Sequence, residues 1–212
     1  MSEKTIVHLL RHGEVHNPEG ILYGRLPGYR LSENGVLMAQ EAAKWFTDRD
    51  VTALFSSPLE RALETAAPLA ELFGLEPVVD ERLTEAENHF EGLTFGAGQG
   101  SLKHPRHWPY LVNPIRPSWG EPYKKIAMRM RSAVIAAKSA ARGHEAVCVS
   151  HQLPIWTLRR YAERRRLWHH PKHRECGLAS VTSLVFQGDR LVEVSYHEPA
   201  AALIQQPTVP GA

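Results

Sequence analysis

Short apolar runs alternate along this chain with longer stretches in which apolar residues recur every three or four positions. Ile6-Val7-His8-Leu9-Leu10 has strand length and is stopped by Arg11-His12-Gly13-Glu14, so it reads as a buried strand. Pro18, Gly20, Gly24, Pro27 and Gly28 then punctuate a loop. Ser32 stands where a helix cap is needed, with Gly35 in the first turn and Val36, Ala39, Ala43 and Phe46 on one face. Val51 to Ser56 reads as a second strand. Pro58 is expected to open a second helix, because the first helical turn needs no N–H partner there. That helix runs through Leu59, Ala62, Ala66 and Leu69 to about Phe73, and Gly74 ends it.

Pro77 to Asp80 reads as a short third strand leading to Leu83-Thr84-Glu85. Residues 88–122 are rich in Gly, Pro, His and Trp and poorly periodic, the character of a lid or binding loop. Helical periodicity returns over 123–142, with Ile126, Met130, Val134 and Ala137 apolar. Glu145 to Ser150 is another buried strand ending at His151, and Leu153 to Tyr161 a helix behind it. Val181 to Phe186 and Leu191 to Tyr196 flank Gly188-Asp189 as a hairpin. The alternation predicts a three-layer α/β/α sandwich with a mostly parallel central sheet. Residues 1–199 form one domain in this reading, with an irregular cap at 88–122 and a flexible tail over 200–212.

A formal net charge of +2 argues against a nucleic-acid or membrane-surface binder by charge alone. The basic run Arg164-Arg165-Arg166 and the stretch from His169 to Arg174 read as solvated surface. Cys148 and Cys176 are too few for a disulfide framework and fit a reducing compartment. No apolar run has the roughly 18 residues that a membrane helix needs, and the N-terminal residues lack an apolar signal core. A cytoplasmic protein is expected.

Two strands end on an imidazole, in Leu10-Arg11-His12-Gly13 and in Val149-Ser150-His151. Ligands of open α/β sheets bind beyond the carboxyl ends of strands, where both histidines fall. Arg61 lies on the helix that follows the strand end Ser56-Ser57-Pro58. Two arginines, two imidazoles and helix N-termini suit a dianionic ligand. An imidazole among cations also stays neutral, which is its nucleophilic form.

Arg11-His12-Gly13-Glu14 resembles the signature of the histidine phosphatase superfamily, whose members include cofactor-dependent phosphoglycerate mutases and many phosphatases. Leu31-Ser32-Glu33-Asn34-Gly35, the stretch from Ser56 to Ala66, Leu83-Thr84-Glu85 with Phe90-Glu91-Gly92, Gly120-Glu121 and Val149-Ser150-His151 resemble later elements of the same family. The resemblance implies that His12 accepts the phosphoryl group and that Arg11, Arg61 and His151 hold its oxygens. Glu85 then protonates the leaving oxygen, which fits a carboxyl whose pKa is raised by burial. Asn17 and Glu121 are further candidate substrate contacts. The family's phosphate-contacting Asn would fall at Pro18, so Asn17 stands one step early. The acid loop is shortened here, which leaves Glu87 as a rival to Glu85.

Residues 88–122 carry Lys103, Arg106 and Arg116 but no adjacent Arg pair of the kind the family's mutases use. They offer Phe90, Phe95, Trp108, Tyr110 and Trp119, as an aromatic pocket wall or as the lid's own core. The expected reaction is therefore hydrolysis of a small phosphorylated substrate, without metal or organic cofactor, and a homodimer stays open. Tyr23, Gly24 and Arg25 follow the nucleophile without an assigned role. The rival reading from another class is a metal-binding or interaction module. His169, His170, His173 and Cys176, with His104 and His107, supply donors for it but lack a recognisable zinc spacing.

Overall fold

The computed structural model of the chain describes residues 3–94 and 120–204. Most of the expected cap lies outside these residues, including Phe95, Lys103, His104, Arg106, His107, Trp108, Tyr110, Arg116 and Trp119. Six strands form one sheet among the described residues: β1 (Lys4–Arg11), β2 (Val51–Ser56), β3 (Val78–Val79), β4 (Glu145–Ser150), β5 (Val181–Gln187) and β6 (Arg190–His197). Their order is β3-β2-β4-β1-β5-β6. The first four are mutually parallel, whereas β5 runs antiparallel to β1 and pairs with β6 as a hairpin. The predicted three-layer, mostly parallel architecture is the one observed.

Strand alternation explains the layers. On β1, Val7 and Leu9 face one core together with Ala146 and Cys148 of β4. Helices α3 (Tyr123–Ala140) and α4 (Gln152–Ala162) cover that face through Ile126, Met130, Val134, Ile155 and Leu158. Leu10, Val147 and Val149 point the other way, against α1 (Glu33–Trp45) and α2 (Glu60–Phe73). Successive residues of β1 and β4 are thus buried on both sides, which is why these strands read as unbroken apolar runs. His8 interrupts the β1 run because it is a satisfied core polar group: its ring reaches Ser183 Oγ and Glu145 Oε2, each at 2.8 Å.

Three local expectations need correction. Val36 is exposed, and Met38 and Ala42 join Ala39 and Ala43 on the buried face of α1. Pro58 lies just before the helix, since Leu59 is the N-cap of α2 and Glu60 its first residue. Pro68 sits within α2, and Gly74 closes that helix in the left-handed region (φ 63°). The chain also does not fray at Pro199. Ala200 is buried, Ala201–Leu203 form a short 3₁₀ turn, and Leu203 and Ile204 pack on the α1/α2 core.

Candidate active site

Register brings the two histidines together. Arg11 pairs with Ser150 across β1 and β4, and the His12 N–H donates to the Ser150 carbonyl at 3.1 Å. Each strand then delivers an imidazole one residue later, and the His12 and His151 rings lie 5.1 Å apart between centroids. On the far side of β4, β2 ends at Ser56, and the Ser57 N–H donates to the Val149 carbonyl. The turn of chain from Ser57 to Leu59 starts α2 beside the histidines and so supplies Arg61. Arg11, His12, Arg61 and His151 are all buried.

The loop after β1 is fixed by close backbone approach. A Cβ on Gly13 would come within 2.5 Å of the Gly35 carbonyl oxygen, and a Cβ on Gly35 would collide with the Glu14 carbonyl oxygen. Both positions must therefore lack a side chain for the loop after β1 to lie against the first turn of α1. Glu14 accepts from Ser32 Oγ at 2.6 Å and from Asn34 Nδ2 at 3.1 Å, and Ser32 in turn caps α1 through the Gly35 N–H. Glu14 is thus a brace. Thr65 of α2 accepts from the Gly13 N–H at 3.1 Å and donates to the Arg61 carbonyl.

Hydrogen bonds decide the tautomer of His12. Its Nδ1 lies 2.8 Å from the Gly13 carbonyl oxygen, which can only accept, so Nδ1 carries the proton. Burial first, then Arg61 and Arg11, hold the ring well below its ordinary pKa of 6.5. Nε2 of the neutral ring is then a bare lone pair. His151 is likewise held neutral by burial, then by Arg61 and His12. Its Nε2 lies 2.8 Å from Ser57 Oγ, and its buried Nδ1 has no partner among the described residues.

The arginines are held from behind. Arg11 Nη1 donates to the Cys176 carbonyl, and Arg61 Nη2 to the Gly24 carbonyl at 2.6 Å. The Arg61 guanidinium lies 4.7 Å over the Tyr23 ring, while its buried Nε and Nη1 meet no acceptor among the described residues. Buried guanidinium N–H groups without acceptors are costly, and an anionic ligand satisfies them.

Glu85 lies beside this cluster. Burial raises its carboxyl above the ordinary 4.5, against the Ala86 N–H bond and the attraction of Arg61, Arg174 and Arg129. Glu87, the rival acid, is exposed and paired with Arg25 at 3.0 Å. Arg25 also donates to the Glu85 carbonyl and reaches Glu121, so it ties the loop after β1 to the acid loop. Arg129 of α3 completes the bracing, with bonds to the carbonyls of Arg82 and Thr84 and a two-pronged pair with Glu121 at 2.9–3.0 Å.

Glu121 and Asn17, the two further expected substrate contacts, are both engaged within the protein. Both Glu121 oxygens are engaged by Arg129 and Arg25, and a carboxylate would repel a phosphorylated ligand, so Glu121 braces the acid loop. The Asn17 side chain closes its own loop by bonding the Ile21 N–H and carbonyl. Among the described residues no group of three or more His, Cys, Asp or Glu is placed to hold a metal ion.

Comparison with known proteins decides the family. The model of the histidine phosphatase superfamily (branch 1) matches residues 7–199. The chain belongs to that superfamily. An uncharacterized protein of Mycobacterium tuberculosis, Rv0525, is 56% identical over 201 residues, covering 95% of this chain and all of its own length. Phosphoserine phosphatase 1 of Hydrogenobacter thermophilus is 27% identical over 157 residues, covering 69% of this chain and 71% of its own length. Among solved structures, a mycobacterial glucosyl-3-phosphoglycerate phosphatase is 26% identical with a TM-score of 0.73, covering 91% of this chain and 97% of that one. Superfamily membership supports phosphoryl-transfer chemistry at the site just described.

Proposed function

We propose that this chain is a phosphatase that hydrolyses a phosphomonoester through a phosphohistidine on His12. One observation carries the reading: a buried, neutral His12 whose proton is fixed on Nδ1, leaving the Nε2 lone pair beside two buried guanidinium groups. Arg11, Arg61 and His151 clamp the phosphoryl oxygens. A Ser57 hydroxyl donating to His151 Nε2 puts the His151 proton on Nδ1, ready to bond a phosphoryl oxygen. His12 Nε2 attacks phosphorus as the ester P–O bond breaks, and the Glu85 proton passes to the leaving oxygen. Glu85, now a carboxylate, takes a proton from water, whose oxygen attacks phosphorus and breaks the P–N bond. Phosphate leaves with His12 and Glu85 restored. A loose phosphoryl transfer needs chiefly charge clamping and alignment, which the cluster supplies from protein side chains.

Hydrolysis rather than mutase chemistry rests on the lack of an adjacent Arg pair in residues 88–122, and two proteins similar to this one are named phosphatases. Cys148 and Cys176 are free and buried, which supports the cytoplasmic reading. Among the described residues no helix is long and apolar enough to cross a membrane. Release of p-nitrophenol from p-nitrophenyl phosphate tests the proposal. His12→Ala should lose at least about a thousandfold in kcat/KM while keeping its circular dichroism. Near wild-type turnover by that variant would remove His12 as the nucleophile.

A further inference from the structure

The basic, histidine-rich stretch at 169–174 has no part in the mechanism above, yet it is only partly a solvated surface. His169 is buried, with its ring 5.3 Å from that of Tyr123 and 6.1 Å from that of Trp156. Its Nδ1 donates to the Leu167 carbonyl at 2.7 Å, which leaves Nε2 to accept from Arg174 Nε at 3.0 Å. Burial first of all pushes the His169 pKa down to about 4, so the ring stays a neutral acceptor that does not repel the guanidinium. Arg174 Nη1 donates to Gln152 Oε1 at 3.3 Å, and Gln152 Nε2 donates to the Cys176 carbonyl, the same oxygen that Arg11 Nη1 holds. Arg174 is therefore linked to the phosphoryl-clamping Arg11 through one amide side chain, that of the residue following His151.

Arg174 lies beside the site, joined to Arg11 through Gln152 and the Cys176 carbonyl. Tyr123, Glu85 and Arg11 are the groups that interact with it most strongly after the effect of burial. Nε and Nη1 are engaged by His169 and Gln152, and Nη2 has no partner among the described residues. The Tyr123 hydroxyl is held protonated by burial and bonds none of the described residues. A guanidinium N–H and a phenolic O–H are two donors for the two oxygens of one carboxylate. Glu85 does not neutralise Arg174 while it keeps the proton that the first chemical step needs.

We propose that Arg174, oriented by His169 and Gln152 and assisted by Tyr123, forms a carboxylate subsite beside the phosphoryl clamp, so that the substrate is a phosphomonoester carrying a carboxylate close to its ester oxygen. This rests on the phosphomonoester reading and names the class of substrate it would take. His169 and Gln152 are positioning residues for it.

The test is a specificity ratio. Phosphoserine and phosphoethanolamine differ only in the carboxylate, and 3-phosphoglycerate and glycerol 3-phosphate differ chiefly in having or lacking it. The wild-type protein should favour the carboxylate-bearing member of at least one pair, and Arg174→Gln should lower that kcat/KM ratio roughly tenfold or more. Arg174→Lys, which keeps the charge, should retain part of the preference. A ratio that is near unity in the wild type, or that is unchanged in Arg174→Gln because both esters lose in proportion, overturns the subsite. Absence of turnover on every ester, p-nitrophenyl phosphate included, overturns the phosphomonoester reading itself and the subsite with it.

Discussion

An imidazole accepts a phosphoryl group only while its ring is neutral and one nitrogen is bare, and both conditions are met at His12 by local contacts. The Gly13 carbonyl takes the Nδ1 proton, and burial with Arg61 and Arg11 opposes protonation of Nε2. A pKa held below 6.5 means that His12, the proposed nucleophile, stays neutral as pH falls through the range where free imidazole becomes charged. Glu85 is shifted the other way, above 4.5, so its proton is kept to higher pH and the acid is lost as pH rises through the raised value. The pH profile of kcat/KM should therefore have a descending limb that belongs to Glu85 and lies above the ordinary carboxyl range. Glu85→Gln should lose most of the rate on poor leaving groups and, in what remains, the descending limb as well. A basic limb unchanged in Glu85→Gln would assign the acid elsewhere, with Glu87→Gln the next variant to assay.

The elements matter because each contributes one group at one end. Strands β1 and β4 supply the imidazoles, α2 supplies Arg61, and the acid loop is held by α3 through Arg129 and Glu121. That last pair is largely buried, with side chains 14% and 1% exposed. Arg129→Ala leaves the Glu121 carboxylate partly uncompensated, and the expected loss is about 3 kcal/mol in urea unfolding. A loss below about 1 kcal/mol would show that Arg25 alone suffices as its partner. Strand and helix identities were legible because burial sets their periods, as at Ile6 to Leu10 and at Ile126 to Ala137. The bracing residues were not. Arg174 read as solvated surface, Arg25 had no assigned role and Arg129 was not singled out, since what each of them holds is not in its own stretch of sequence. The solvent-exposed Val36 was misread because a helix face is decided by what packs on it, which one helix's sequence does not contain.

At the scale of the whole molecule, the sheet order places β1 and β4 side by side, and a parallel pair ends its strands at the same edge. The His12–His151 juxtaposition follows from that topology and was foreshadowed by two similar strand endings 139 positions apart (151 minus 12). The proposed carboxylate subsite was not foreshadowed, because its groups come from the chain before β5, from α3 and from the start of α4. If the Arg11 and Arg61 guanidinium groups balance the charge of the dianion as proposed, turnover should be unchanged by a chelator; loss that a divalent ion restores would require a metal in the mechanism. The central claim is the covalent intermediate. Rapid quench of the enzyme during turnover, followed by peptide mass analysis under alkaline conditions, should find one phosphoryl group on the peptide containing His12, acid-labile and absent from His12→Ala. Steady release of phosphate with no phosphorylated His12, or with the phosphoryl group on another residue, would contradict it.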